Sequence, residues 1–248
     1  MEWQDDGTLI SARPFGETSA VVEVFTAQHG RHAGVVRGGA SRRVAAILQP
    51  GSQVALTWRA RLDEQLGSFT IEARHSRAAL MAEHLALAGL NAVCAMLLHA
   101  LPERIPHPLL YDRTQALLSE METQAGGAWA PEYLRWELLL LEECGFALDL
   151  SRCAVTGARD DLAFVSPRSG RAVSRMGAGD WALRLLPLPQ GLLGQGPLNG
   201  AELQAGLAIT GHFLLREVAV LRGKKALPEA RARLLDLLAR HSDGIFRA

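Results

Sequence analysis

Along residues 53–62, Val54, Leu56, Trp58, Ala60 and Leu62 alternate with Gln53, Ala55, Thr57, Arg59 and Arg61. A period of two marks a strand with one face in a core. This strand therefore turns an apolar face inward and a basic face outward. Phe69, Ile71 and Ala73 alternate with Ser68, Thr70, Glu72 and Arg74 in the next strand. Upstream, residues 8–12 and 18–26 are rich in β-branched side chains, and Gln28-His29-Gly30 predicts a hairpin turn into a strand over 31–37. Strands this short and closely spaced, about five between residues 7 and 74, predict a small closed barrel of the OB type. Past Arg77 the period lengthens towards 3.6, and residues 78–101 and 109–122 predict two helices, the first ending at Pro102. A third helix is bounded by Pro131 and Gly145, with Glu132 on the side the helix dipole favours. Tyr133, Leu134, Trp136 and Leu138 to Leu141 make it apolar over most of its circumference, which predicts burial. The helical pattern lapses over 150–180, where 162–165 and 171–173 flank Pro167-Arg168-Ser169-Gly170 as a small hairpin. A proline- and glycine-rich stretch to Gly200 reads as loop, and helices resume over 201–222 and 228–241.

The expected fold is thus α+β: an OB-type five-stranded barrel followed by a mostly helical part with a small β-hairpin insertion. The expected domains are residues 1–77 and 78–248, with the hairpin in 150–180. A length of 248 residues suits two folded parts, since single domains cluster at roughly 100–150 residues. With 48% apolar and 21% charged residues, the composition is that of an ordinary globular protein. No apolar run approaches the ~20 residues that cross a bilayer. The acids in residues 1–6 stand where a signal peptide needs bases, so no membrane partner and a cytoplasmic location are expected. Cys94, Cys144 and Cys153 are odd in number and widely spaced, which fits a reducing compartment.

Charge changes the picture more than composition does. The chain is neutral overall, yet residues 24–62 hold no acid and carry Arg31, Arg37, Arg42, Arg43, Arg59 and Arg61. Basic residues gathered without acids attract a polyanion, so these six are candidate DNA contacts. Arg222, Lys224 and Lys225, around Gly223, form a second basic cluster. Among the aromatics, Trp58 is in phase with the core residues of its strand, whereas Phe15 and Phe25 sit nearer loops and are the better candidates for stacking on bases. His29 and His32, near Glu17 and Glu23, have His-x-x-His spacing but lack the third ligand of a catalytic zinc site. Cys144 and Cys153 read as small buried hydrophobes. Glycine-rich phosphate loops of the P-loop or dinucleotide type are absent from the sequence. These residues leave three classes open: a DNA adaptor, an RNA-binding or protein-binding scaffold of the OB type, and a small helical enzyme.

Phe25-Thr26, His29-Gly30-Arg31, Val36-Arg37-Gly38, Arg42-Arg43 and Leu48-Gln49-Pro50 together resemble the N-terminal domain of the RecO family of recombination mediators. Tyr133, Arg135-Trp136-Glu137-Leu138, Leu141, Gly145, Leu150 and Cys153 resemble that family's central helix and the segment after it. Leu221, Gly223-Lys224 and Arg231 resemble its C-terminal helices. The resemblance implies a non-catalytic DNA repair protein, nucleoid-associated, that binds single- and double-stranded DNA and anneals complementary strands. It further implies work with RecR and with the C-terminal tail of the single-strand binding protein, and indirectly with the recombinase RecA. It places the tail site in the helical domain, where Arg135 and Arg216 are the expected cations. Two departures stand out. Several members carry a zinc-binding cysteine cluster, but here Thr156 occupies the second position of the pair begun by Cys153, and no Cys or His lies between Cys153 and His212. No metal and no cofactor are therefore expected. Gly38-Gly39-Ala40-Ser41 also lacks the lysines often found in the family's basic loop.

Overall fold

A computed structural model of the chain describes residues 1–62 and 64–245. Five strands, β1 (Glu2–Phe15), β2 (Ser19–Thr26), β3 (Gly30–Val36), β4 (Gln53–Arg59) and β5 (Ser68–His75), form a closed ring of pairings in the order β1-β2-β3-β5-β4. β1 is long enough to close the ring by itself. Its first half pairs with β4, from Glu2 opposite Arg59 to Thr8 opposite Gln53, and its second half pairs with β2 up to Phe15 opposite Ser19. The sequence pattern starts this strand only at Thr8, because Asp5 and Asp6 disfavour a strand locally and cross-strand pairing overrides them. The alternation holds over 53–59 but not to its expected end, because the strand stops at Arg59 and Leu62 is exposed. Val54, Leu56 and Trp58 are buried with Leu9, Val22, Val24 and Phe69, and the Trp58 indole N–H donates to the Leu66 carbonyl at 3.1 Å. Between β3 and β4 lies α1 (Arg42–Ile47), six residues that the sequence leaves as loop.

A 3₁₀ turn at Ala78–Ala82 precedes α2 (His84–Ala100) and α3 (Pro108–Thr123). The sequence predicts one helix over 78–101. Glu83 interrupts it, since its backbone is extended and its carboxylate accepts the amides of Leu85 at 2.9 Å and Ala86 at 2.5 Å. That is a side-chain N-cap, and it fixes the start of α2. Met1–Ala125, strands and both helices together, make one compact unit, and a second begins at Gly126.

The second unit is built on α4 (Ala130–Glu143), whose Tyr133, Leu134, Trp136, Leu140 and Leu141 are buried. β6 (Leu162–Val165) and β7 (Ala172–Ser174) form the expected hairpin, and β8 (Leu186–Pro187) adds a third strand on the other side of β6. Two residues are too few for a periodic signal, and Pro187 reads as a breaker. The short α5 (Arg175–Ala178) and a 3₁₀ turn, Gly179–Arg184, lie between β7 and β8. α6 (Gly200–Phe213) passes into a π-helical turn, Leu214–Ala219, and α7 (Glu229–Ile245) follows. Within this unit Glu137 is fully buried and accepts hydrogen bonds from Arg231 at 2.7 and 2.9 Å, from the Tyr133 hydroxyl at 2.8 Å and from Thr210 at 2.5 Å. A buried carboxylate stands only with such partners, and the set ties α4, α6 and α7 together. Burial, followed by the Glu137 charge, pushes the Tyr133 phenol well above its ordinary value and keeps its proton available to donate.

Candidate nucleic-acid interface

The segment joining β3 to α1 is held by its smallest residues. Gly38 has a φ of +71°. A Cβ on Gly39 would come within 2.7 Å of the Ala20 Cβ and 2.9 Å of its amide nitrogen, so only glycine lets this segment lie flat on β2. The Ala40 N–H donates to the Thr18 carbonyl at 3.1 Å, which clips the segment to the turn between β1 and β2. Ser41 then caps α1, its hydroxyl accepting from the Val44 amide at 3.4 Å. The consequence is a row of exposed cations: Arg37 at the end of β3, and Arg42 and Arg43 in the first turn of α1. Arg13 joins them from β1, because it shares a shallow groove of about 320 Å³ with Ala20, Gly39, Ala40 and Ala45. None of these four makes an ion pair among the described residues. Phe15 is exposed at the same end of β1. The sequence reading passes over Arg13, since it lies outside the acid-free stretch and only the pairing of β1 with β2 carries it there.

The other arginines of that stretch are placed differently. Arg31 is only 11% exposed, pairs with Glu23 at 2.9 Å and Glu103 at 3.5 Å, and donates to the Leu98 carbonyl at 3.3 Å. Its charge is spent inside the protein. Arg59 is exposed but bonded to Glu2 at 2.8 Å, and Arg61 is exposed in the bend that follows the strand. The acids answering Arg31 and Arg59 come from outside the stretch, from residues 2, 23 and 103, which linear spacing does not reveal. Phe25 is fully buried edge-on to Tyr111, with ring centroids 5.6 Å apart, so the expectation that it stacks on bases is corrected. His29 lies 3.2 Å from Asp5 and stacks on Trp3 at 3.9 Å, while His32 is buried against Trp58. No cluster of three or more metal-ligating side chains occurs among the described residues.

In the second unit Arg222, Lys224 and Lys225 are exposed around the Gly223 turn, where the Lys224 amide bonds the Ala219 carbonyl at 2.7 Å. Arg231 is not part of that surface, being buried on Glu137. Arg135 pairs with Glu132 on its own helix. Arg216 pairs with Glu217 at 3.1 Å and donates to the carbonyls of Pro167 and Arg168. Both arginines expected at a partner's tail thus already hold acidic partners. Cys153 is buried as expected, whereas Cys144 is only partly buried. Burial raises the pKa of Cys153, but the hydroxyl and amide of Ser174 and the amide of Thr156 outweigh that and bring it to about 6. At 1% exposure it is nonetheless shielded from reagents. Cys94 is buried, and burial pushes its thiol up to about 12.

Residues 1–77 match the family model described as "Recombination protein O N terminal", and residues 81–226 match "Recombination protein O C terminal". The chain belongs to the RecO family. It is 63% identical over 240 residues to a DNA repair protein RecO of Cereibacter sphaeroides, covering 97% of this chain and 99% of that one. It is 56% identical over 241 residues to its counterpart in Roseobacter denitrificans and 53% identical over 241 to that in a Ruegeria species, each at 97% and 99% coverage. A RecO-family chain works in DNA repair and recombination, and the exposed arginine row lies wholly within the part matching the N-terminal model. No helix among the described residues is long and apolar enough to cross a membrane.

Proposed function

We propose that this RecO-family protein is a non-catalytic recombination mediator that holds DNA by its phosphates at the Arg37, Arg42, Arg43 and Arg13 end of the five-stranded ring. The observation carrying this reading is that these four exposed guanidiniums surround one clipped loop and have no ion-pair partner among the described residues. An unpaired arginine offers a planar fork of donors and a permanent charge, so each phosphate it takes releases counterions and adds affinity without reading sequence. Arg59 and Arg61 extend the row, Arg59 by exchanging its exposed Glu2 for a phosphate. Arg31 is left out of the contact set, because it is itself largely buried and removing it would leave the partly buried Glu23 carboxylate without its partner. Arg222, Lys224 and Lys225 supply a second basic patch for duplex or a second strand, which is the arrangement that annealing requires. Binding to single- and double-stranded DNA, work with RecR and the single-strand binding protein's tail, loading of RecA and a place at the nucleoid all belong to this proposal.

The test replaces Arg42 and Arg43 by Glu and measures affinity for single strands of several sequences across a salt series. Affinity should fall for every sequence alike, and the salt slope should flatten by about 0.7 per lost contact. Because both side chains are exposed, stability should stay within about 0.5 kcal/mol of the parent. A folded double variant with unchanged affinity and slope would move the DNA surface elsewhere.

A further inference from the structure

The ring of strands is closed at one seam by a single residue pair. β5 is paired along its whole length with β4, from Ser68 opposite Arg59 to His75 opposite Gln53, but with β3 only at Ser68 opposite Val35. β3 ends at Val36 and the chain turns away through Gly38, so no strand lies beside residues 69–75 on that side among the described residues. A strand directs its N–H and C=O groups alternately to its two sides, which leaves half of those on β5 at this edge without a partner strand. Beside the edge runs a groove of about 460 Å³. Val36, Phe69 and Ile71, Val44 and Ile47 of α1, and the cations Arg37 and Arg59 line it. Val44, Ile47 and Ile71 are only partly buried, so this apolar surface is not fully used by the core.

We propose that this seam is a strand-addition site for an extended segment of a partner protein, apolar at alternate positions and acidic at one end. The open edge selects a peptide over a nucleic acid, because it presents donors and acceptors in alternation and a phosphate backbone has no N–H donors to answer the carbonyls. The groove takes alternate side chains of the added strand, since those share one face. The acidic end is fixed by charge: Arg37 has no acidic partner among the described residues, and Arg59 holds only the exposed Glu2. Both flank the start of β5, so an antiparallel segment places its acidic C-terminal end there. This inference goes beyond the proposed DNA contacts and stands without them.

The test uses the full chain and a fluorescein-labelled eight-residue peptide of alternating Val and Thr ending in two Asp, followed by fluorescence anisotropy. Saturable binding is expected. It should weaken on the order of tenfold, the loss of one to two net backbone hydrogen bonds, when the amides on one edge of the peptide are N-methylated. Methylating the amides of the other edge should leave it unchanged. Ile47→Glu, checked for folding by its melting curve, should abolish binding, and the methylated peptides test the parent protein whether or not that variant folds. No saturable binding, or equal binding by both methylated peptides, overturns the proposal. Displacement by oligo(dT) together with loss of oligo(dT) affinity in Ile47→Glu would give the groove to nucleic acid and overturn it too. So would a dimer, seen by sedimentation and lost in Ile47→Glu, which would give the edge to a second copy.

Discussion

His32 shows how much one side chain's environment settles. It is 3% exposed, with its ring edge-on to Trp58 at 4.9 Å and its Nδ1 3.0 Å from the Ala33 carbonyl. Burial lowers its pKa below the ordinary histidine value of 6.5; the Ala33 carbonyl opposes that shift, Arg104 and His29 reinforce it, and Glu103 opposes it. Unfolded His32 takes up a proton as the pH drops below 6.5, while the folded protein resists doing so. His32 therefore contributes stability that is complete above that value and is lost as the pH falls through the lowered one. The melting temperature should drop between pH 7 and pH 5, and drop less in His32→Phe, where no proton is taken up. Equal pH slopes for the two proteins in differential scanning fluorimetry would show that His32 is not held neutral. The sequence allowed His32 and His29 to be weighed only by spacing, and spacing says nothing of burial. In the same way Arg31, Arg42 and Arg43 are equivalent as letters in an acid-free stretch, and only the positions of Glu23 and Glu103 separate a committed arginine from available ones.

At the level of elements, the turn joining β2 to β3 rests on one glycine. Gly30 has a φ of +63°, and a Cβ there would lie 1.9 Å from the Ile105 carbonyl oxygen and 2.5 Å from its carbon. Gly38, at +71°, has open space around it. Gly38→Ala should cost only the left-handed strain of about 1–2 kcal/mol. Gly30→Ala should cost clearly more in urea unfolding, because the backbone at Ile105 must move as well. Equal losses would mean that the close approach is absent in solution. The hairpin itself was legible, as Gln28-His29-Gly30 between β-branched runs is a turn signal. The elements that escaped the sequence are those too short to show a period: α1, set by the Ser41 cap, and β8, set by pairing with β6.

Over the whole molecule, the two compact units meet in sequence at residues 124–127, where Gln124, Ala125 and Gly126 are exposed and Gly126 and Gly127 have φ of +67° and +76°. Exposed, glycine-rich backbone is where proteases nick first. Brief subtilisin treatment should therefore yield two fragments of nearly equal mass with new ends in that segment, read by mass spectrometry; first cuts within β1–β5 or α4 would contradict the division. Local periodicity and runs of residues contiguous in the chain were enough for the α+β order of elements, the inward face of the strand over 53–59, the buried central helix and the family. Tertiary structure alone decided that Arg13 joins Arg37, Arg42 and Arg43, that Arg31 and Arg231 are spent on Glu23 and Glu137, and that β5 keeps an open edge. Charge pairing and strand closure depend on distances between residues far apart along the chain, and no local pattern carries those distances.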